Sequence, residues 1–312
     1  MQLEEKYAKS LTALIVGKIR TYVEFSKFRL ASLVIISAVI TFLFAAYYNN
    51  ISYTFSDILW LSLGGFLVTG ASNGLNQVIE VELDKLMDRT KNRPLPSGRM
   101  TLNEGLIVSG VMGFIGIVIL WEFINPLSGK LGVAALVSYV LFYTPLKRIT
   151  PFSVFVGAFP GAIPPVIGWT AATGEMNSPV LWMLFAIQFV WQFPHFWAIA
   201  WKVNDDYLKA GFKMLPSSGG RDLSSAFQIL IYSLFLIPVG LLPHLFSVMS
   251  PDVNIVSGWS SPVIFIAGLW MFWKAYKLYK SLSIEDATSI MFASFFYLPI
   301  VQLALLIDKI LF

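Results

Sequence analysis

Nine stretches of this 312-residue chain contain no Asp, Glu, Lys or Arg, and the charged positions cluster between them. They run 30–56, 58–79, 105–121, 131–146, 149–174, 176–201, 223–251, 253–273 and 287–307. A bilayer core needs roughly 20 apolar residues of helix, with about 17 as the lower limit. Stretches 105–121 and 131–146 are marginal and need a flanking residue or two; the others clear the limit. Backbone groups in lipid must hydrogen-bond within their own segment, so helices follow rather than open strands. The pattern therefore predicts an all-α, polytopic integral membrane protein with nine transmembrane helices around a central cavity.

The basic residues test this division. Of 22 Lys and Arg, all but Lys130 and Lys309 fall on one side when the spans alternate from an inside N-terminus. Lys and Arg resist translocation, so the asymmetry predicts N-in and C-out. Residues 2–25 mix Leu3, Leu11, Leu14 and Ile15 with Glu4, Glu5, Lys6, Lys9 and Lys18. An amphipathic interfacial segment over 1–26 is expected, followed by one intramembrane domain over 27–312. Two long charged loops, 80–104 and 202–222, lie on the inner side; the outer loops are short and nearly uncharged.

Composition removes several chemistries. The chain is 56% hydrophobic and 13% charged, with mean hydropathy +0.70, which argues against a water-soluble globule. Cysteine is absent, so disulfides, thiolate metal sites and cysteine nucleophiles are excluded. Two histidines, His195 and His244, cannot build a polyhistidine metal centre. The net charge of +4 is modest, and no nucleic-acid partner is expected.

The candidate chemistry sits in the inner loops. Asn76, Glu80, Asp84 and Asp88 recur every four residues and share one face if the helix continues through them. Like charges at that spacing repel unless a cation sits among them. Oxygen donors without His or Cys suit Mg²⁺, which is commonly shared with substrate phosphates. Arg89, Lys91 and Arg93 follow directly and can meet remaining phosphate charge. Asp205 and Asp206 leave span six on the same side, below the aromatic run Trp191–Trp201 that contains His195. His195 reads as either a ligand or a packing residue, and His244 as structural. Span five carries Gly157, Pro160, Gly161, Pro164, Pro165 and Gly168, which predicts a bent helix lining a cavity.

Taken together these motifs resemble the UbiA superfamily of intramembrane prenyltransferases, over residues 20–307. The resemblance rests on Asn76…Glu80…Asp84…Asp88 with Arg89–Leu95, on Tyr143-Thr144…Lys147-Arg148, on Gly161–Trp169, and on His195–Ala198 with Asp205-Asp206-Tyr207. The last two blocks resemble the superfamily's heme-modifying branch. Glu80 stands where the family usually has Asp, and the second acidic motif is shortened to Asn204-Asp205-Asp206-Tyr207. The resemblance implies farnesyl transfer from farnesyl diphosphate to a vinyl group of heme B, with Mg²⁺ as cofactor. It implies Glu80, Asp84, Asp205 and Asp206 as metal ligands, with Asn76 completing the catalytic set and Asp88 belonging either to that set or to the loop. Lys27, Arg29, Arg89, Lys91, Arg93, Tyr143, Lys147 and Arg148 are expected at the substrate, and His195 at the heme. The expected setting is a prokaryotic cell membrane with the acidic face toward the cytoplasm. A heme A synthase or oxidase-assembly protein would receive the product. The rival readings are an aromatic prenyltransferase of quinone or chlorophyll synthesis and a secondary transporter.

Overall fold

The computed structural model describes residues 15–250 and 252–312. Every regular element among them is helical. Nine long helices follow in chain order: α1 Phe28–Tyr48, α2 Phe55–Ile79, α3 Leu102–Ile124, α4 Pro126–Leu146, α5 Ser153–Thr173, α6 Pro179–Lys202, α7 Leu223–Gly240, α8 Ser260–Ser281 and α9 Ile284–Leu311. All but α8 are long and apolar enough to cross a membrane. α8 has the length, but its last turns carry Lys274, Lys277 and Lys280. The ammoniums of Lys277 and Lys280 lie 5.6 and 5.7 Å from the ring centres of Trp273 and Tyr276. Such aromatic cover suits lysines at a membrane interface.

The two marginal stretches gain their length from caps outside the apolar run. Thr101 and Glu104 form a reciprocal capping box that starts α3 at Leu102. Asn125 accepts from the Ser128 N–H and Pro126 occupies the first turn of α4. The stretch 223–251 is shorter than expected as one helix. α7 stops at Gly240, and Leu242–Met249 forms a separate short helix with Pro243 in its first turn. The N-terminal segment is described only from residue 15, where it is helical over 15–25. Ile15, Val16, Ile19 and Val23 there are exposed, while Lys18 and Glu24 pair with Glu104 and Arg99. Residues 1–14 of that expected interfacial helix lie outside the described residues.

Consecutive helices pack in order and α9 returns against α1, closing a ring. α1 also crosses α5, and α6 crosses α9. The α1–α5 crossing is close: a Cβ on Gly168 would lie 2.1 Å from the Ala38 carbonyl oxygen, so only glycine fits. Polar bonds buried in this apolar setting fix the register of three helices. Ser37 Oγ donates to Gln188 Oε1 at 2.6 Å, and Gln302 Nε2 donates to Ser37 Oγ at 2.8 Å. α5 runs as one helix over Ser153–Thr173 with three internal prolines, Pro160, Pro164 and Pro165.

Two segments are wound as π-helix: Leu120–Ile124 at the end of α3 and Ser138–Tyr143 within α4. Such windings shift the register of the side chains that follow and concentrate at functional sites. Here the second turns Tyr139 and Tyr143 into a cavity of about 200 Å³. The cavity is also walled by α1, α2, α5 and α6, with Gly157, Pro160 and Gly161 on its α5 side.

Candidate functional site

The site lies where α1 begins and α2, α4 and α6 end. Asn76, in the last turn of α2, is buried and its Nδ2 donates to Thr144 Oγ1 at 3.1 Å. Glu80 follows as the helix breaks, 4% exposed, and its carboxylate lies 2.6 Å from Lys147 Nζ. One turn of helix, Val81–Asp84, then carries Asp84 inward to 1% exposure. Asp84 Oδ2 accepts from Arg93 at 2.8 Å, while its Oδ1 is buried with no hydrogen-bond partner among the described residues. Removing one partner of such a buried pair leaves a charge in a dry setting, which costs several kcal/mol.

Asp88 does not continue this face. The chain turns after Asp84, held by Thr90 Oγ1 donating to the Asp84 carbonyl at 2.8 Å. Asp88 then points outward to Lys209 and Lys91, at 2.5 and 2.6 Å, and these ammoniums hold its carboxyl down to about 2. The four-residue series assumed a continuous helix, whereas the backbone breaks at Glu80 and again beyond Asp84.

The second acidic loop braces the first. Asp206 accepts from the backbone N–H groups of Asp88 and Arg89 at 3.2 and 3.0 Å. The Arg89 N–H, with Lys209 and the Asp88 N–H, keeps the Asp206 carboxyl below the usual carboxylate range. Asp205 faces away and pairs with Arg221 at 3.0 Å. The structure therefore gathers Glu80 and Asp84 but does not bring Asp205 and Asp206 beside them as one ligand set. Among the described residues no cluster of three His, Cys, Asp or Glu has the spacing to hold a metal ion.

Cations converge on the two buried acids. Lys147 is buried under the rings of Tyr143 and Phe212, at 5.0 and 5.3 Å. Lys27 precedes α1 in a left-handed conformation, φ 52°, which is uncommon for a residue with a side chain. Desolvation, with Arg93 and Lys147 nearby, lowers its ammonium to about 7, while Glu80 and Asp84 oppose the shift. Arg89 lies over the Tyr207 ring at 5.2 Å. Arg148 is exposed at the rim of a groove it shares with Glu80 and Thr144. Arg29 is exposed with no ion partner among the described residues, and Lys91 serves Asp88.

His195 is turned toward α9. Its Nδ1 lies 2.7 Å from Ser294 Oγ, and its ring stacks on Trp191 at 4.6 Å. Ser294 Oγ also lies 2.7 Å from the Met291 carbonyl, so its one proton serves either that carbonyl or His195 Nδ1. His195 does not line the cavity, although Phe196 and Gln192 do.

Sequence reasoning named Thr144 in a motif without its role, fixing Asn76, and gave no role to Asn73, Tyr139 and Gln192, which line the cavity. Asn73 and Gln192 carried the same signal as Asn76, a polar side chain inside a span. Tyr139 carried none, because a π-winding is not written in residue types.

The profile of the UbiA prenyltransferase family matches residues 34–298. A protein named protoheme IX farnesyltransferase from Cytophaga hutchinsonii is 43% identical over 298 residues, covering 94% of this chain and 99% of the relative. A protein of that name from Christiangramia forsetii is 44% identical, covering 92% of each. In fold, the chain resembles a solved digeranylgeranylglyceryl phosphate synthase (TM-score 0.75, 20% identity, 95% of this chain and 99% of that one). It also resembles a UbiA homolog from Archaeoglobus fulgidus bound to GPP and Mg²⁺ (TM-score 0.65, 12% identity, 91% and 99%). With a helical bundle, buried acid–base pairs at one end of an apolar cavity, and a family profile spanning most of its length, the chain belongs to the UbiA prenyltransferase family.

Proposed function

We propose that this protein transfers the farnesyl group of farnesyl diphosphate to a vinyl group of heme B, water supplying a hydroxyl, to give heme O and diphosphate. The names of the relatives at 43% and 44% identity support the acceptor. The observation that carries the chemistry is the pairing of buried Glu80 with Lys147 and Asp84 with Arg93 beside an apolar cavity.

Mg²⁺ fits these residues: the donors are hard oxygens, and Asp84 Oδ1 is buried and unpartnered. Asn76, Glu80 and Asp84 would hold it, and it would neutralise charge on the departing diphosphate. Lys147, Arg93 and Lys27 then meet phosphate oxygens, and Arg89 closes the site from the loop that Asp206 braces. A dry wall strengthens each of these electrostatic contacts. The farnesyl chain lies along the apolar cavity, where the Tyr139 and Tyr143 rings, 5.2 Å apart, shield the allylic cation. His195, packed against α9, would put the acceptor beside α6, where an imidazole nitrogen is able to ligate heme iron.

In this reading all nine helices cross a bacterial cell membrane, with the N-terminus and the acidic site on the cytoplasmic side. Residues 1–26 lie on that surface, and 27–312 form the catalytic domain. A heme A synthase or an oxidase-assembly protein receives the product. Purified protein given farnesyl diphosphate and Mg²⁺ should farnesylate protoheme and leave 4-hydroxybenzoate untouched. The reverse preference would assign it to the aromatic branch, and activity that required an ion gradient would favour transport.

A further inference from the structure

We infer that Asn73 and Gln192 hold the water that adds to the acceptor, a role that rests on the heme reading above. The cavity wall is largely aliphatic, including Leu30, Val34, Ile35 and Val68. Against it stand a few polar groups. Asn73 is 3% exposed, and its Nδ2 finds no hydrogen-bond partner among the described residues. Gln192 Nε2 is engaged by the Ala158 carbonyl at 2.9 Å, which leaves Oε1 as an acceptor. A Cβ on Gly161 would sit 1.9 Å from that Oε1, so the glycine leaves the oxygen its room. Ser72, also on the wall, gives its proton to the Val68 carbonyl at 2.9 Å and can only accept.

An unpartnered amide inside a membrane span is costly, and a farnesyl chain offers it neither donor nor acceptor. Water offers both. A buried water needs two to four polar partners and about 30 Å³ of space, and a cavity of about 200 Å³ supplies both. Asn73 lies three residues before Asn76, one turn deeper than the diphosphate site on the same helix. Water held there stands on the cavity side of the reacting carbon rather than among the phosphates.

The step balances as follows. The C1–O bond of farnesyl diphosphate breaks and diphosphate leaves with the electron pair. The vinyl π pair joins the terminal vinyl carbon to C1, leaving positive charge on the carbon next to the pyrrole. The oxygen of the held water bonds to that carbon, and its extra proton passes to diphosphate. Without placed water, the cation instead loses a proton from the neighbouring carbon, and the product is an alkene lighter by one water.

The test is the mass of the product made by purified wild type, Asn73→Leu and Gln192→Met from protoheme, farnesyl diphosphate and Mg²⁺. In each variant the ratio of alkene to hydroxylated product should rise roughly tenfold, the scale of one lost hydrogen bond. Asn73→Ser, which keeps a donor, should restore the hydroxylated product. A packing defect slows both products together, so an unchanged ratio in a variant that turns over would overturn the proposal. Should Asn73→Leu fail to fold, Gln192→Met decides by the same ratio. Failure of wild type to farnesylate protoheme at all would sink the heme reading instead.

Discussion

Asp84 concentrates the argument at the scale of single residues. Its carboxylate is buried, bonded to Arg93 through one oxygen and unpartnered at the other. Asp84→Asn keeps the size and loses the charge, so prenyl transfer should fall by roughly 10²- to 10³-fold, as for other removed electrostatic stabilisers. Diphosphate release at saturating Mg²⁺ measures this, with the melting curve checking that the bundle persists; near-normal turnover would contradict the assignment. Much of this residue-level picture was legible in the sequence. Asn76, Glu80 and Asp84 stood out because polar groups at a fixed period inside or beside a span need a reason to be there. Asp88 was left between the acidic set and the loop because the periodicity carries no sign of where the helix breaks. The break is stabilised by Asp206 accepting from the Asp88 and Arg89 N–H groups, 118 and 117 residues away in sequence. Contacts of that separation are invisible to local pattern.

Elements carry the site through a few contacts that admit little change. α1 and α5 approach so closely at Gly168 that Gly168→Ala must push the Ala38 backbone away. Overpacking of this kind costs about 1–3 kcal/mol. Gly110→Ala in α3 meets open space and should be nearly neutral. Thermal unfolding in detergent separates the two; equal melting temperatures would mean the helices yield freely. The loops make a second contrast. Asp206→Ala releases the 88–89 backbone and should raise the KM for farnesyl diphosphate several-fold, whereas Asp205→Ala, losing a contact to Arg221, should change it little. Comparable KM values in both variants would remove the brace. Because the Asp206 carboxyl is held below its ordinary range, the brace is complete at neutral pH and weakens only in acid, as pH falls through that lowered value. The place of α5 on the cavity wall was legible from its prolines and glycines. The π-winding of α4 was not, since residues 138–143 read as ordinary apolar helix.

For the whole molecule, the arrangement of charge predicts which way the site faces. Basic residues crowd the end of the bundle that holds Glu80 and Asp84, and that bias orients membrane proteins. Cysteines introduced at Lys91 and Lys213 into this cysteine-free chain should resist an impermeant thiol reagent in intact cells, while one at Glu175 should label. The opposite pattern would invert the topology. The nine long helices and their order were readable from the spacing of charged clusters, and eight of them are long and apolar enough to cross a membrane. The ring closure of α9 on α1 and the cavity it leaves were not, because both depend on which lipid-length helices pack together. The claim that joins fold, site and relatives is that farnesyl is delivered to heme. Its most direct test is the mass of heme extracted from cells expressing this chain in place of their own heme-modifying enzyme. The account predicts a heme heavier than heme B by one farnesyl group and one hydroxyl group; finding only unmodified heme B while the protein is present and folded would contradict it.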